Sequence, residues 1–156
     1  MHSLLCGQDE LIANWVADRI PWVVGRDFGP ASAIGVVSEA AGLIAGVVYH
    51  DLQRWSDEDT TQGDGVIEIS MAASNPMWAR KENIRGLLSY PFEQLNVFKV
   101  RIATPHTEEH NIKTFEKIGF KKEAVLANEY GRQLHAWVGR MRQPDFYRIY
   151  GRSHDG

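Results

Sequence analysis

Glu68 and Ser70 stand two apart in the run GVIEISMAAS, and the cations Arg80 and Lys81 follow after a short proline-containing break. These residue types suit proton transfer beside a bound phosphate. A carboxylate such as Glu68 can accept a proton, directly or through a water. Ser70 can hydrogen-bond a substrate or a water on the same side. Arg80 and Lys81, beside the free N–H groups of a helix start, can hold a phosphate. The bland alternatives are that Glu68 pairs with a neighbouring strand and that Ser70 is a polar filler.

The elements that would position these groups follow from apolar period. Ile67, Ile69 and Met71 alternate with Glu68 and Ser70, which is a strand with two distinct faces. Asn75-Pro76 ends it. Ile84, Leu87, Leu88, Phe92 and Leu95 then take helical spacing, and Pro91 should bend that helix. Ser3 to Cys6 reads as a short strand. Leu11, Ile12, Trp15, Val16 and Ile20 share a helical face that Pro21 ends. Ala31 to Ser38 and Leu43 to Leu52 read as a hairpin, and Arg54 to Gly65 as a polar loop. Phe98 to Thr104 is another strand. Thr107 to Ile118 is a helix with Thr107 as N-cap and Gly119 as a left-handed stop before Phe120. Lys121 to Asn128 and Leu134 to Met141 form a final hairpin, and Gln143 to Gly156 reads as a charged, fraying end. The order implies an α/β (α+β) domain over 1–142 with a tail at 143–156.

Composition narrows the function classes. The 156 residues are 44% hydrophobic and 24% charged, which fits one ordinary globular domain. A net charge of −3 argues against nucleic acid and anionic membrane as partners. No apolar run is long enough for a membrane span. A lone cysteine, Cys6, cannot form an intrachain disulfide and suits a reducing compartment. The first residues lack the basic region and apolar core of a secretory signal, so a cytoplasmic location is expected. Cys6 reads as a small core residue.

Other constellations are weaker. His106 and His110 have the spacing of two helical zinc ligands, but Thr107 stands where a zinc-protease motif needs Glu, and no third ligand is evident. They read as solvated histidines, and no metal is expected. No Gly-x-Ser-x-Gly elbow is present. The arginines at 140, 142, 148 and 152 read as a solvated basic end.

Three separated pieces resemble the Gcn5-related N-acetyltransferase (GNAT) superfamily. PHTEEHNIKTFEKIGFKKEAVLANEY is similar to the N-x-x-S-I-x-x-x-E-K-x-G-F-x-x-E-G run of the branch that acetylates ribosomal-protein N-termini, with Glu116, Gly119, Phe120 and Glu123 matching directly. Asn75-Pro76-Met77-Trp78 is similar to N-P-x-Y-W-G-K-G, and Tyr90-Pro-Phe-Glu-Gln-Leu95 to Y-A-F-E-E-L. The overall pattern also resembles small acetyltransferases familiar from phages and prophages. The resemblance implies a mixed, mostly antiparallel sheet of about seven strands flanked by three to four helices. It implies acetyl-CoA as cosubstrate, wedged between the strands at 66–73 and 98–104, with an amine acceptor and a homodimer as candidate partners. Met71, Ala72 and Ala73 would meet the pantetheine and the oxyanion. Trp78, Ala79, Arg80, Lys81, Glu82 and Asn83 would form the pyrophosphate turn. Asn111 and Phe115 would lie beside the thiol.

The departures from the family pattern are specific. The turn from Trp78 to Glu82 contains none of the glycines that let such a backbone approach phosphates closely. The family asparagine falls on Glu108 and the family serine on Asn111. Phe115 replaces the tyrosine that many members use to protonate the departing thiolate, leaving Tyr130 and Tyr49 as candidates. The resulting expectation is an acetyl-CoA-dependent N-acetyltransferase with Glu68 as base. The alternative is a catalytically impaired GNAT-fold protein that binds acyl-CoA or a partner. The acceptor would be chosen by loops at 22–30, 52–64 and 127–133.

Overall fold

The computed structural model describes residues 1–23, 27–55 and 61–152. In chain order the elements are β1 (His2–Leu5), α1 (Asp9–Ala17), β2 (Ala31–Ser38), β3 (Gly42–Gln53), β4 (Val66–Ala73), α2 (Lys81–Ser89), β5 (Lys99–Pro105), α3 (Glu109–Ile118), β6 (Lys121–Gly131), β7 (Leu134–Arg142) and α4 (Gln143–Tyr150). Short 3-10 turns occupy Pro21–Val23 and Pro76–Ala79, and a π-helical turn, Tyr90–Gln94, extends α2. The seven strands form one sheet in the order β1-β2-β3-β4-β5-β7-β6. Every pairing is antiparallel except β4 with β5. The expected sheet is therefore present, with four helices around it. No described helix is long and apolar enough to cross a membrane.

The parallel pair is the feature that shapes the site. β4 and β5 pair from Val66↔Lys99 to Ile69↔Ile102, and the pairing stops there. Beyond that point β4 follows β3 as far as Ala73↔Ala45, and β5 follows β7 as far as Pro105↔Ala136. The sheet splits between its two central strands.

The alternation along β4 distributes its side chains as expected. Ile67 and Ile69 enter a large core with Ile84, Leu87, Phe92, Phe115 and Phe146. The opposite face packs on α1, where Ile12 and Val16 meet Val48. Gly46 permits that approach, since a Cβ there would come within 2.9 Å of both the Ile12 and Val16 side chains.

Pro91 bends the central helix in a specific way. It has no N–H to offer Leu87, and the turn widens until Leu95 N–H bonds Tyr90 C=O, a five-residue step. The Leu87 carbonyl instead accepts the Tyr49 hydroxyl at 2.6 Å. Tyr49 is buried, and that burial, with smaller contributions from Tyr90 and Cys6, raises its pKa well above the ordinary value.

Four expectations are corrected. The expected fraying is absent over Gln143–Tyr150, while 153–156 lie outside the described residues: α4 buries Phe146 completely, stacked on Phe92 with ring centroids 5.0 Å apart. At its start the Asp145 carboxylate accepts both the Arg142 backbone N–H and the Arg142 Nε–H, and Arg85 donates to the Tyr150 and Gly151 carbonyls at its end. Three of the four arginines read as a solvated basic end converge instead on one carboxylate, since Arg140, Arg142 and Arg148 all pair with Asp145, while Arg152 is exposed and lies over the Tyr147 ring. Cys6 is exposed rather than in the core. Thr107 is not the N-cap of α3, which starts after Glu108. Gly119 does stop that helix at φ 125°, with its N–H on the Phe115 and Glu116 carbonyls.

Candidate active site

A cavity of about 400 Å³ opens where the sheet splits. Glu68 and Ser70 line it, followed by Met71, Ala72 and Ala73 as β4 continues without its parallel partner. Ile102, Ala103 and Thr104 line the β5 side. Asn111 and Phe115 contribute from α3, and Tyr130 from β6. The far end reaches Asn75, Pro76 and Trp78. The backbone edge between Ser70 and Ala73 is thus freed from β5 and faces a cleft, as a strand-pairing ligand requires.

Each predicted residue has a definite place. Glu68 is opposite Arg101 in the parallel register, and Arg101 Nε lies 3.3 Å from its carboxylate. Asn111 donates to the Thr104 hydroxyl at 3.1 Å, tying α3 to β5. Phe115 stacks toward Trp137 and makes an apolar wall where a tyrosine would offer a hydroxyl. Tyr130 lines the cavity beside Trp22. Tyr49 lies elsewhere, its hydroxyl committed to Leu87. His110 also lines the cavity, whereas His106 packs against the tilted ring of His135 and accepts that residue's N–H.

The turn leading to α2 is rigid without glycine. The Asn75 side chain accepts the Met77 N–H at 2.9 Å, and Trp78 is buried as a plug between turn and core. Asn83 is buried too, and its amide donates to the Trp78 carbonyl. Its side chain therefore braces the turn. Ala79 to Asn83 lie past the cavity lining, with Arg80, Lys81 and Glu82 exposed at the helix start. The first N–H groups of α2 have no partner within the helix, as at any helix start. Two cations beside them favour an anion.

The sequence reading missed His50 and Asp51. His50 is 1% exposed, with Nδ1 2.5 Å from Asp51 Oδ2 and Nε2 2.8 Å from Ser70 Oγ. In a regular strand adjacent side chains point to opposite faces. Asp51 breaks that rule with φ 55°, a left-handed conformation that Asp tolerates, and the β3–β4 register slips after His50. Asp–His–Ser contacts assembled this way carry no spacing signal, because Ser70 arrives from the next strand.

A seven-stranded mixed sheet that splits at its central parallel pair, with a helix starting beyond the split, defines the class: the chain has the fold of the Gcn5-related N-acetyltransferases. Among solved structures it is similar to a chimera of the Vibrio cholerae spermidine N-acetyltransferase SpeG and hSSAT, with TM-score 0.73, 14% identity, and coverage of 94% of this chain and 98% of that one. It is similar to the Vibrio cholerae spermidine N-acetyltransferase in complex with CoA and spermine, with TM-score 0.67, 16% identity and coverage of 93% and 97%. A ribosomal-protein-S5-alanine acetyltransferase from Vibrio fischeri aligns with TM-score 0.59 and 15% identity over 74% of this chain and 63% of that one. No family model and no curated protein matches the sequence. At these identities the likeness is one of fold.

Proposed function

We propose that this protein is an N-acetyltransferase that moves an acetyl group from acetyl-CoA to an amine by direct attack. The observation that carries the reading is the split beyond Ile69↔Ile102, which exposes the β4 edge inside a cavity lined by Glu68. An extended pantetheine can pair with that edge, and its phosphates can lie toward the start of α2 with Arg80 and Lys81. Glu68 accepts the amine proton, and its negative charge draws a cationic acceptor to the cavity.

Calorimetry with acetyl-CoA tests the cosubstrate, and an acceptor panel read by free CoA tests the reaction. Spermidine and an alanine-starting peptide belong in that panel, because they are the acceptor types named for the similar structures. No heat and no thermal shift at millimolar acetyl-CoA would sink the proposal. Glu68→Gln is expected to lower kcat by about 10²–10⁴-fold while acetyl-CoA still binds. The Phe115 wall and the glycine-free turn favour a second reading, a protein that binds acyl-CoA without turnover. Turnover that disappears in Glu68→Gln with binding intact rules that out.

A further inference from the structure

Glu68 stands at one end of the cavity, and a line of cations leads away from it across the sheet. Register sets Glu68 of β4 beside Arg101 of β5, Arg101 beside Arg140 of β7, and Arg140 beside Lys121 of β6. Partners in register share a face. Their chain neighbours Ile67, Val100, Ile102 and Met141 fill the core on the opposite face. Ala103, one alternation along β5 from Arg101, still lines the cavity. The row therefore starts inside the cavity at Glu68 and crosses its rim toward Arg140.

These cations outnumber their anions. Along the row Glu68 is the one carboxylate, and it accepts Arg101 Nε at 3.3 Å. Asp145 lies beyond the row and is held by Arg142 at 3.1 Å and Arg148 at 3.4 Å. Arg140 comes only within 3.9 Å of it, outside hydrogen-bond range. Arg140 Nη1 is buried and has no hydrogen-bond partner among the described residues. A guanidinium N–H left unmade in such a place is costly. Its planar fork suits a carboxylate or a phosphate, and neither is supplied by the neighbouring strands.

We propose that the acceptor is a small amine that also carries an anionic group, a carboxylate or a phosphate, and that Arg140 binds that group with Arg101 beside it. This deepens the acetyltransferase reading and rests on it. The cofactor phosphates lie toward α2 in that reading, so the acceptor enters at the Glu68 end. Its amine meets Glu68, its chain crosses β5, and its anion reaches Arg140. Neighbouring strands are about 4.8 Å apart, so two strand spacings separate the Glu68 and Arg140 backbones by roughly 10 Å. Side chains that lean inward shorten this to the length of a chain of four to six carbons. A polyamine such as spermidine would instead set a second ammonium against two guanidinium groups, a like-charge contact that rejects it. Arg140 is thus a specificity-determining residue, and Glu68 keeps its role as base.

The test compares kcat/KM of the full chain, with acetyl-CoA and free-CoA detection, for ε-aminocaproate, its uncharged amide, aminopentyl phosphate and spermidine. At least one of the two anionic amines is expected to exceed the amide about tenfold, through KM rather than kcat, as a charge-assisted bond to a part-exposed arginine permits. The faster of the two identifies the anion, and either one supports the assignment. Arg140→Gln is expected to remove most of that preference. Arg140→Lys should keep part of it, since lysine retains the charge without the fork. Calorimetry should find acetyl-CoA affinity within a few fold in both variants. If Arg140→Gln does not fold, the wild-type preference and Arg140→Lys decide. An amide as fast as both anionic amines would overturn the inference, as would spermidine outrunning them. So would an Arg140→Gln variant that keeps the wild-type preference, or one whose acetyl-CoA affinity falls in step with its rate, which marks a structural role. Turnover of spermidine or the amide alone removes this inference and leaves the acetyltransferase reading standing. Failure of the wild type to bind acetyl-CoA sinks that underlying reading, a result distinct from all of these.

Discussion

The two faces of the sheet are put to different uses, and β3 shows the contrast within two adjacent residues. Tyr49 points into the face covered by α2, the π turn, α3 and α4, where its hydroxyl satisfies the carbonyl that Pro91 leaves without its usual donor. His50 points to the face covered by α1, where its ring joins Asp51 to Ser70 behind the cavity. Both side chains are almost fully buried and both bond through a polar atom. On the first face a dry polar contact closes a gap in the backbone ladder, so it serves stability. On the second, the contact ends on a hydroxyl that faces open space, so it can serve chemistry. Burial alone does not separate the two roles. What lies at the far end of the hydrogen bond does.

Phe146→Ala is the heaviest blow to the first face. The ring is completely buried, stacks on Phe92 and lies near Tyr147 and Tyr150. Its loss is expected to cost about 3–5 kcal/mol, read as a lowered urea midpoint. A loss below about 0.5 kcal/mol, the range of an ordinary surface substitution, would mean that α4 is not part of the core.

Tyr49→Phe sharpens the contrast at the point where the two faces meet. It removes one hydroxyl and leaves the Leu87 carbonyl without that bond, an expected cost of about 1–3 kcal/mol by thermal or chemical denaturation. The kcat measured at a temperature where the variant is folded should stay near wild type. Ser70→Ala, one face away, should do the reverse. A Tyr49→Phe variant as stable as wild type but slow in turnover would erase the distinction.

Much of this arrangement was legible in the sequence because it repeats. The alternation of Ile67, Ile69 and Met71 with Glu68 and Ser70 assigned both faces of β4, and Leu87, Leu88 and Phe92 assigned the inner face of α2. Helix α4 was hidden because eight residues give barely two turns, and its charges resemble a solvated tail. The usable signals were Pro144 beside Asp145 at a helix start and the spacing of Phe146, Ile149 and Tyr150. His50 was hidden for a different reason. It ends an apolar strand, its partner Ser70 lies 20 residues away, and only the irregular φ of Asp51 brings the carboxylate to its ring. Pattern reading finds what is periodic. This site depends on a break in period.

The smallest effect concerns pH, and it separates the faces by their ionisable groups. Asp145 anchors the start of α4 and so belongs to the dry face. Burial pushes its pKa up, but hydrogen bonds from the Arg142 side chain and N–H, the Arg142 charge and a bond from Arg148 outweigh it. The net result holds the carboxyl below its ordinary 3.8. A depressed carboxyl stabilises the folded state above its unfolded pKa, and that contribution disappears as pH falls through the folded value. Stability should therefore be flat from neutral pH down to about 4 as far as this group is concerned, and decline below that as the Arg142 and Arg148 contacts lose their anion. Asp145→Asn should be modestly less stable at pH 7 and show a shallower decline in acid, measured by urea midpoints across the pH range. An unchanged acid decline in Asp145→Asn would move its source off α4 and onto other carboxylates, those of the cavity face included.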